Sequence, residues 1–150
     1  MLRLSRKSIL AIEAVLDVAY NARPEPVQAR DITKRQGVPH RYLEQVLQRL
    51  VRDGVLKGVR GPRGGYTLAR ERRKVTVGDV VRVVAQMDVE LDDTRSQGAL
   101  FAEVVSPLWI DMQARIFAEM DDITMEHLCQ QAEAANVPRA EVSDADDFTI

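Results

Sequence analysis

The sequence predicts a mainly α-helical chain with a small β-hairpin wing, arranged as a winged helix-turn-helix domain plus a long dimerisation helix. Three observations support this fold class. Apolar residues recur at helical spacing along most of the chain. Two of the predicted helices are separated only by a short turn at Gly37. Directly after the second of them, a glycine-rich loop joins two short apolar runs, the pattern of a hairpin.

Composition limits the classes of protein to consider. The chain has 150 residues, of which 45% are hydrophobic and 29% charged, as in a soluble globular protein. No signal peptide or apolar run of membrane length is evident. The single cysteine excludes an internal disulfide framework. We therefore expect a cytoplasmic protein with no membrane partner.

The two halves of the chain carry opposite charge. Residues 1–75 contain 17 Lys and Arg against 7 Asp and Glu, a net charge of +10, whereas residues 76–150 contain 4 against 16, a net charge of −12. A basic half of this kind predicts a polyanionic partner, here double-stranded DNA. The acidic half is expected to face away from that partner or to keep the protein soluble.

The first two predicted helices form a scaffold. Residues 8–22 have a predicted core face of Ile9, Ile12, Leu16 and Ala19. Residues 28–36 form a short second helix, in which Ile32 faces the core and after which Gly37 closes the C-terminus.

Residues 39–68 contain the predicted recognition helix and wing. The helix buries Leu43, Val46, Leu47 and Leu50, which lie at the spacing of one face, and its outer face carries Arg41, Gln45, Arg49 and Arg52. Because a major groove about 12 Å wide accepts an α-helix, we expect Arg41 to reach a guanine edge or a phosphate and Gln45 an adenine edge. A carboxylate at Glu44 is repelled by phosphates, so it accepts from a cytosine amino group, excludes other sequences, or lies off the interface.

The predicted wing consists of strands at residues 55–60 and 66–68, joined by a loop over residues 61–65. Gly64 and Gly65 permit positive φ and a close backbone approach, while Arg60 and Arg63 would approach the flanking minor groove or phosphates. A nucleotide-binding loop is disfavoured because the Lys-Ser/Thr of a P-loop is missing. The complete predicted DNA-contact set is Arg41, Tyr42, Glu44, Gln45, Arg49, Arg60, Arg63, Gly64 and Gly65.

The C-terminal half contains three further predicted helices. Residues 77–86 follow Thr76 as the N-cap, with Asp79 in the first turn, and Thr124 caps a last helix that ends near residue 135. Between them lies an apolar stripe that we interpret as a dimerisation helix, with an intrachain core helix as the alternative. The stripe comprises Val105, Leu108, Trp109, Met112, Ile116 and Met120. The predicted domains are a DNA-binding domain at 1–86, a dimerisation and sensor region at 87–137 and an acidic, disordered tail at 138–150.

Several segments together resemble one bacterial family. The sequences YLEQVLQRLVRDG, VRGPRGGYTLAR and VTVGDVVRVV, followed by TRSQG, LWIDM and ITMEHL, are similar to the Rrf2 family of IscR, NsrR and CymR type. The resemblance covers roughly residues 1–132 and is strongest to the iron-sulfur cluster assembly regulators. It implies a homodimeric winged-helix repressor or activator that binds a palindromic operator.

The resemblance fails at the expected cofactor site. Cluster-binding relatives carry three cysteines between segments written TRCQG and LWRDL, where this chain has Ser96 and a predicted loop over residues 99–107 without cysteine or histidine. Iron-sulfur clusters are held chiefly by thiolates, so the usual cluster site is absent. Cys129 is the remaining redox or cluster candidate, and the alternative is a half-buried structural cysteine on an amphipathic helix. Cys129 lies about 200° around the predicted helix from His127, so the two could share one metal only with distortion or with ligands from elsewhere.

The sequence contains no catalytic constellation, so we do not expect an enzyme. Three signals remain open: iron or an iron-sulfur cluster with unusual ligands, thiol oxidation at Cys129, and a small molecule or partner enzyme acting without a cluster. A winged-helix module for protein contacts is the alternative to a DNA-binding regulator.

Overall fold

The predicted fold class is confirmed in a computed structural model that describes residues 5–22, 25–88 and 97–140. The described residues form helices and one two-stranded antiparallel hairpin. The elements in chain order are α1 (Arg6–Asn21), α2 (Ala29–Gln36), α3 (His40–Arg52), β1 (Leu56–Val59), β2 (Gly65–Leu68), a 3-10 turn (Arg72–Lys74), α4 (Val77–Asp88), α5 (Ser106–Asp121) and α6 (Met125–Ala134).

Helix α1 crosses the centre of the core with a face that overlaps the predicted one only in part. Its buried positions include Ala11, Ala14, Val15 and Val18. Ile9 is 52% exposed, and Ile12 and Leu16 are only partly buried. The prediction was therefore right for Ala19, which is 5% exposed, and wrong for Ile9, because alanines and valines make α1 apolar on more than one face and the larger aliphatic residues did not mark its core side.

Helices α2 and α3 form the predicted helix-turn-helix. Gly37 ends α2 in the left-handed conformation, with φ +67°, and donates its N–H to the Thr33 carbonyl at 2.8 Å. Helix α3 buries its predicted face of Leu43, Val46, Leu47 and Leu50. Arg35 ties α2 to α1 through two 2.7 Å hydrogen bonds to the Asp17 carboxylate. The Gly37 turn joins α3 directly to α2, and the Arg35–Asp17 ion pair holds α2 against α1.

The hairpin pairs Leu56 with Leu68 and Val59 with Gly65. A third segment extends it, since Val27 and Tyr66 exchange backbone hydrogen bonds of 3.0 and 2.8 Å. A Cβ added at Gly65 would clash with the Val27 carbonyl oxygen and lie 2.7 Å from the Val27 carbonyl carbon. The glycine thus permits the close approach that attaches the wing to the scaffold.

Helices α4 and α6 begin side by side. The Thr76 hydroxyl accepts from Asp79 N at 3.1 Å, so the predicted N-cap is confirmed. The Asp79 carboxylate in turn accepts from Thr76 N at 3.0 Å, which completes a reciprocal capping box that the sequence analysis did not predict. The Thr124 hydroxyl accepts from His127 N at 3.1 Å, so the predicted cap of α6 is also confirmed. Backbone hydrogen bonds of 2.8 Å then join Val77 N to the Ile123 carbonyl and Met125 N to the Val75 carbonyl.

Helix α5 begins without the loop that the sequence predicted over residues 99–107. Residues 99–105 are helical, and Phe101–Val105 form a wide π-type turn in which Ser106 N bonds to the Phe101 carbonyl. The loop was expected from the family resemblance, and the structure replaces it with helix. Pro107 directly follows the π-type turn, in the first turn of the regular part of α5, where its missing N–H is tolerated.

One ion pair fixes the other end of α5 to α4. Arg82 donates to both carboxylate oxygens of Asp121, at 2.6 and 2.7 Å, and lies 4.7 Å from the ring centre of Phe117. These hydrogen bonds from Arg82 hold the pKa of the Asp121 carboxyl below its ordinary value. The contact joins the C-terminal part of α5 to α4.

The predicted boundary at residue 86 does not separate two cores, because Met120, Met125 and Cys129 are buried with the residues of α1 and α4. The prediction for Ser96 and residues 141–150 of the predicted tail at 138–150 fall outside the described residues. The described start of that tail contacts α1 instead: Ala140 N donates to Asn21 Oδ1 at 2.8 Å, and the Arg139 guanidinium lies 5.1 Å from the ring centre of Tyr20. Within 5–22, 25–88 and 97–140, no helix is long and apolar enough to cross a membrane.

Candidate nucleic-acid interface

The outer face of α3 presents a row of polar side chains. Arg41 and Gln45 are exposed, as predicted, and Tyr42 is half-buried at the edge of the same face. Gln48 is exposed as well and was missed by the sequence analysis, although its spacing of seven residues from Arg41 places it on this face. Arg49 is half-buried, and its Nε lies 3.2 Å from an Asp53 carboxylate oxygen. The row thus offers a guanidinium and two amides to base edges.

Glu44, in the second turn of α3, interacts with the start of that helix and with the wing. Its carboxylate is 3.8 Å from His40 Nε2, and His40 Nδ1 is 3.5 Å from the Thr33 hydroxyl. On the wing side, burial and then the negative charge of Glu44 raise the pKa of the Tyr66 hydroxyl above its ordinary value. Glu44 therefore has one partner on α3, His40, and acts electrostatically on Tyr66 of β2, a relation that sequence periodicity alone does not reveal.

The tip of the wing carries Arg60 and Arg63, both exposed, in a turn closed by a 2.9 Å hydrogen bond from Gly64 N to the Gly61 carbonyl. Gly64 and Gly65 are less exposed than the two arginines. A Cβ at Gly64 would clash with the Val59 carbonyl oxygen, and Gly65 is pressed against Val27. Their backbone shapes the turn, whereas the arginine side chains provide the charge that a phosphate or a minor groove attracts.

The predicted dimerisation residues divide into two groups. Most of the stripe on α5 is exposed in the single chain: Val105 (49%), Leu108 (57%), Trp109 (43%), Met112 (36%) and Ile116 (42%). Met120 differs, since it is only 9% exposed and belongs to the core of its own chain. Its position one turn before α6 places it over the core, so it has to be removed from the predicted interface.

The donor atoms in the described residues do not fit an iron or iron-sulfur site. Cys129 is 1% exposed, whereas His127 is exposed and lies 3.1 Å from Gln131, so these two side chains leave α6 on different sides as predicted. Across residues 5–22, 25–88 and 97–140, no group of three or more His, Cys, Asp or Glu is placed to hold a metal ion. Burial also shields the Cys129 thiol from oxidants.

The helix-turn-helix, the hairpin wing and the exposed basic surface define a class of protein, the winged-helix transcription regulators. Comparisons with known proteins agree. The family described as "Rrf2: Iron-dependent Transcriptional regulator" matches residues 4–131. The regulator IscR of Escherichia coli (strain HS) is 35% identical over 163 aligned residues that cover 99% of both chains.

Solved structures agree in fold. IscR of T. potens superposes with a TM-score of 0.72 at 32% identity, covering 93% of this chain and 94% of that one. CymR, the global cysteine regulator of B. subtilis, gives 0.67 at 25% identity and covers 87% and 98%. The chain belongs to the Rrf2 family and is an IscR-like transcriptional regulator. Its relatives are DNA-binding regulators rather than enzymes.

Proposed function

We propose that the protein is a cytoplasmic, homodimeric regulator that reads a palindromic operator with α3 and the wing. The observation that carries this proposal is the exposed row of Arg41, Gln45 and Gln48 beside the arginine-bearing wing. This surface belongs to the half of the chain with net charge +10, which suits a phosphate backbone.

The exposed stripe of α5 supports the homodimer. Contiguous apolar surface of this kind is uncommon on monomers and marks protein contacts. Apolar surface continues ahead of α5, where Leu100 and Val104 are 80% and 58% exposed. A two-fold contact through α5 presents two copies of α3 to the same face of a duplex, about one helical turn apart. A palindromic operator matches that symmetry.

We further propose that the signal is sensed without an iron-sulfur cluster. The chain has one cysteine in total, and it is buried. Stable clusters need several thiolate ligands, which one cysteine per chain does not supply. Because the family is described as iron-dependent, genes of iron or redox homeostasis are the proposed targets, with a small molecule or partner protein as the signal.

A salt titration of DNA binding tests the first proposal. Fluorescence anisotropy with a duplex fragment of the gene's own upstream region is expected to show an affinity that falls steeply with salt, because each neutralised phosphate releases counterions. Arg63→Ala should weaken binding on all sequences and lower the salt slope by about 1, whereas Gln45→Ala should relax preference at one base position by about 1–3 kcal/mol. Gln130→Ala, an exposed glutamine on α6, is the control. A flat salt response would favour a protein-binding winged helix.

Anaerobic purification with iron and sulfide analysis tests the second proposal. We expect a colourless protein that binds its operator with far less than one iron per chain. A visible absorption band with stoichiometric iron and sulfide, lost together with DNA binding on chelation, would contradict sensing without a cluster.

A further inference from the structure

A cavity of about 440 Å³ lies between the C-terminal part of α1, strand β2, the 3-10 turn and the start of α6. Val18, Ala19 and Leu68 provide an apolar floor. This volume falls in the range of roughly 300–1,000 Å³ that is typical of small-molecule sites, and such sites combine apolar walls with few polar groups. None of its lining residues belongs to the predicted DNA-contact set or to the stripe of α5.

Arg72 supplies the polar group that indicates a ligand. It lines the cavity, and its Nη1 atom is buried with no hydrogen-bond partner among the described residues. A buried guanidinium nitrogen without an acceptor is costly, since the desolvation of a charged donor is not compensated. An anionic group seated in the cavity would provide the missing acceptor.

The other charged residues of the cavity limit the charge of that group. Arg73 Nε donates to the Glu71 carboxylate at 2.6 Å, so these two residues neutralise each other at the rim. Glu126 on α6 adds a second carboxylate to the lining. Two arginines and two glutamates disfavour a doubly charged phosphate but allow one singly charged carboxylate beside Arg72.

We propose that this cavity binds a small monocarboxylate with a short apolar body, whose carboxylate accepts from Arg72 Nη1. The bound molecule would contact Leu68 on the wing strand and Glu126 on α6 at the same time. Its binding energy then favours one placement of the wing relative to the sensor end of the chain. This part of the inference rests on the proposed function, because it identifies the signal as a carboxylate metabolite.

Isothermal titration calorimetry on the full chain tests the binding site. The probes are straight-chain monocarboxylates from acetate to octanoate, the matched primary amides and inorganic phosphate. We expect saturable binding of one carboxylate per chain and a loss of at least about tenfold for the amide, since a hydrogen bond to a charged group contributes about 1.5–3 kcal/mol. Phosphate binding tighter than that of every carboxylate would overturn the assignment.

Variants test the role of Arg72. Arg72→Gln is expected to lose carboxylate binding, and Arg72→Lys is expected to keep part of it. The control Arg30→Gln removes one charge from an exposed site on α2 and should bind the carboxylate as the unmodified chain does. Equal binding by Arg72→Gln would overturn the proposal. If Arg72→Gln does not fold, the comparison of each carboxylate with its amide still decides, and equal affinities for the two would overturn it.

DNA titrations with and without the tightest carboxylate test the regulatory part. We expect the probe to change operator affinity severalfold in the unmodified chain and not in Arg72→Gln. An unchanged affinity at saturating probe would overturn regulation through this cavity. Carboxylate binding without DNA binding would refute the proposed function alone, and DNA binding without carboxylate binding would refute this inference alone.

Discussion

The close contact between the wing and the scaffold predicts that Gly65→Ala is strongly destabilising. The added methyl group overlaps the Val27 carbonyl, so the two backbone hydrogen bonds between Val27 and Tyr66 have to separate. Losing them costs about 2 kcal/mol, at about 1 kcal/mol each. Overpacking against the backbone adds about 1–3 kcal/mol. The expected total of about 3–5 kcal/mol is a large part of the stability of a typical domain, about 5–15 kcal/mol.

Urea unfolding followed by circular dichroism measures this loss, and Gly58→Ala is the matched control. Gly58 lies in the same hairpin, but no atom lies within 4 Å of a Cβ built there. Its substitution should change the free energy of unfolding by about 0.5 kcal/mol or less, or stabilise the strand slightly. A loss below about 1 kcal/mol for Gly65→Ala, or equal losses for both variants, would refute the structural role of the contact.

Two further predictions concern the dimer and the scaffold. Leu108→Glu should shift the protein toward monomers in sedimentation velocity runs, because it places a charge in the exposed stripe of α5. The control Gln113→Glu, at an exposed polar position of the same helix, should leave the ratio of monomer to dimer unchanged. If Leu108→Glu also leaves that ratio unchanged, α5 is not the dimer interface. Arg35→Ala should lower the free energy of unfolding by about 1 kcal/mol after solvent screening, because it leaves the Asp17 side chain, 9% exposed, without its guanidinium. A variant as stable as the parent would contradict that contribution.

Local patterns predicted the elements that depend on neighbouring residues. The buried face of α3 follows from apolar residues at Leu43, Val46, Leu47 and Leu50, and the start of α4 follows from Thr76 and Asp79, which bond each other across three residues. Each of these signals lies within one or two helical turns. Sequence periodicity describes that range directly.

Contacts between distant residues were not predictable in the same way. Val27 pairs with Tyr66 across 39 positions, and nothing near Val27 marks a strand. Glu44 acts on Tyr66 only because α3 packs against the hairpin through β1. Ile9 was assigned to the core because apolar residues on α1 outnumber the positions that one face can bury. Each of these outcomes depends on the tertiary arrangement, which single-sequence periodicity does not contain.

Selection of DNA sites from a random duplex pool tests the central claim most directly. If two copies of α3 read one duplex, the enriched sequences should contain an inverted repeat whose half-sites lie about one helical turn, or a multiple of it, apart. Arg41→Ala should relax the preference at one position within each half-site. Enrichment of a single half-site without a repeat, or no enrichment above the starting pool, would contradict the reading of this protein as a two-fold, sequence-specific regulator.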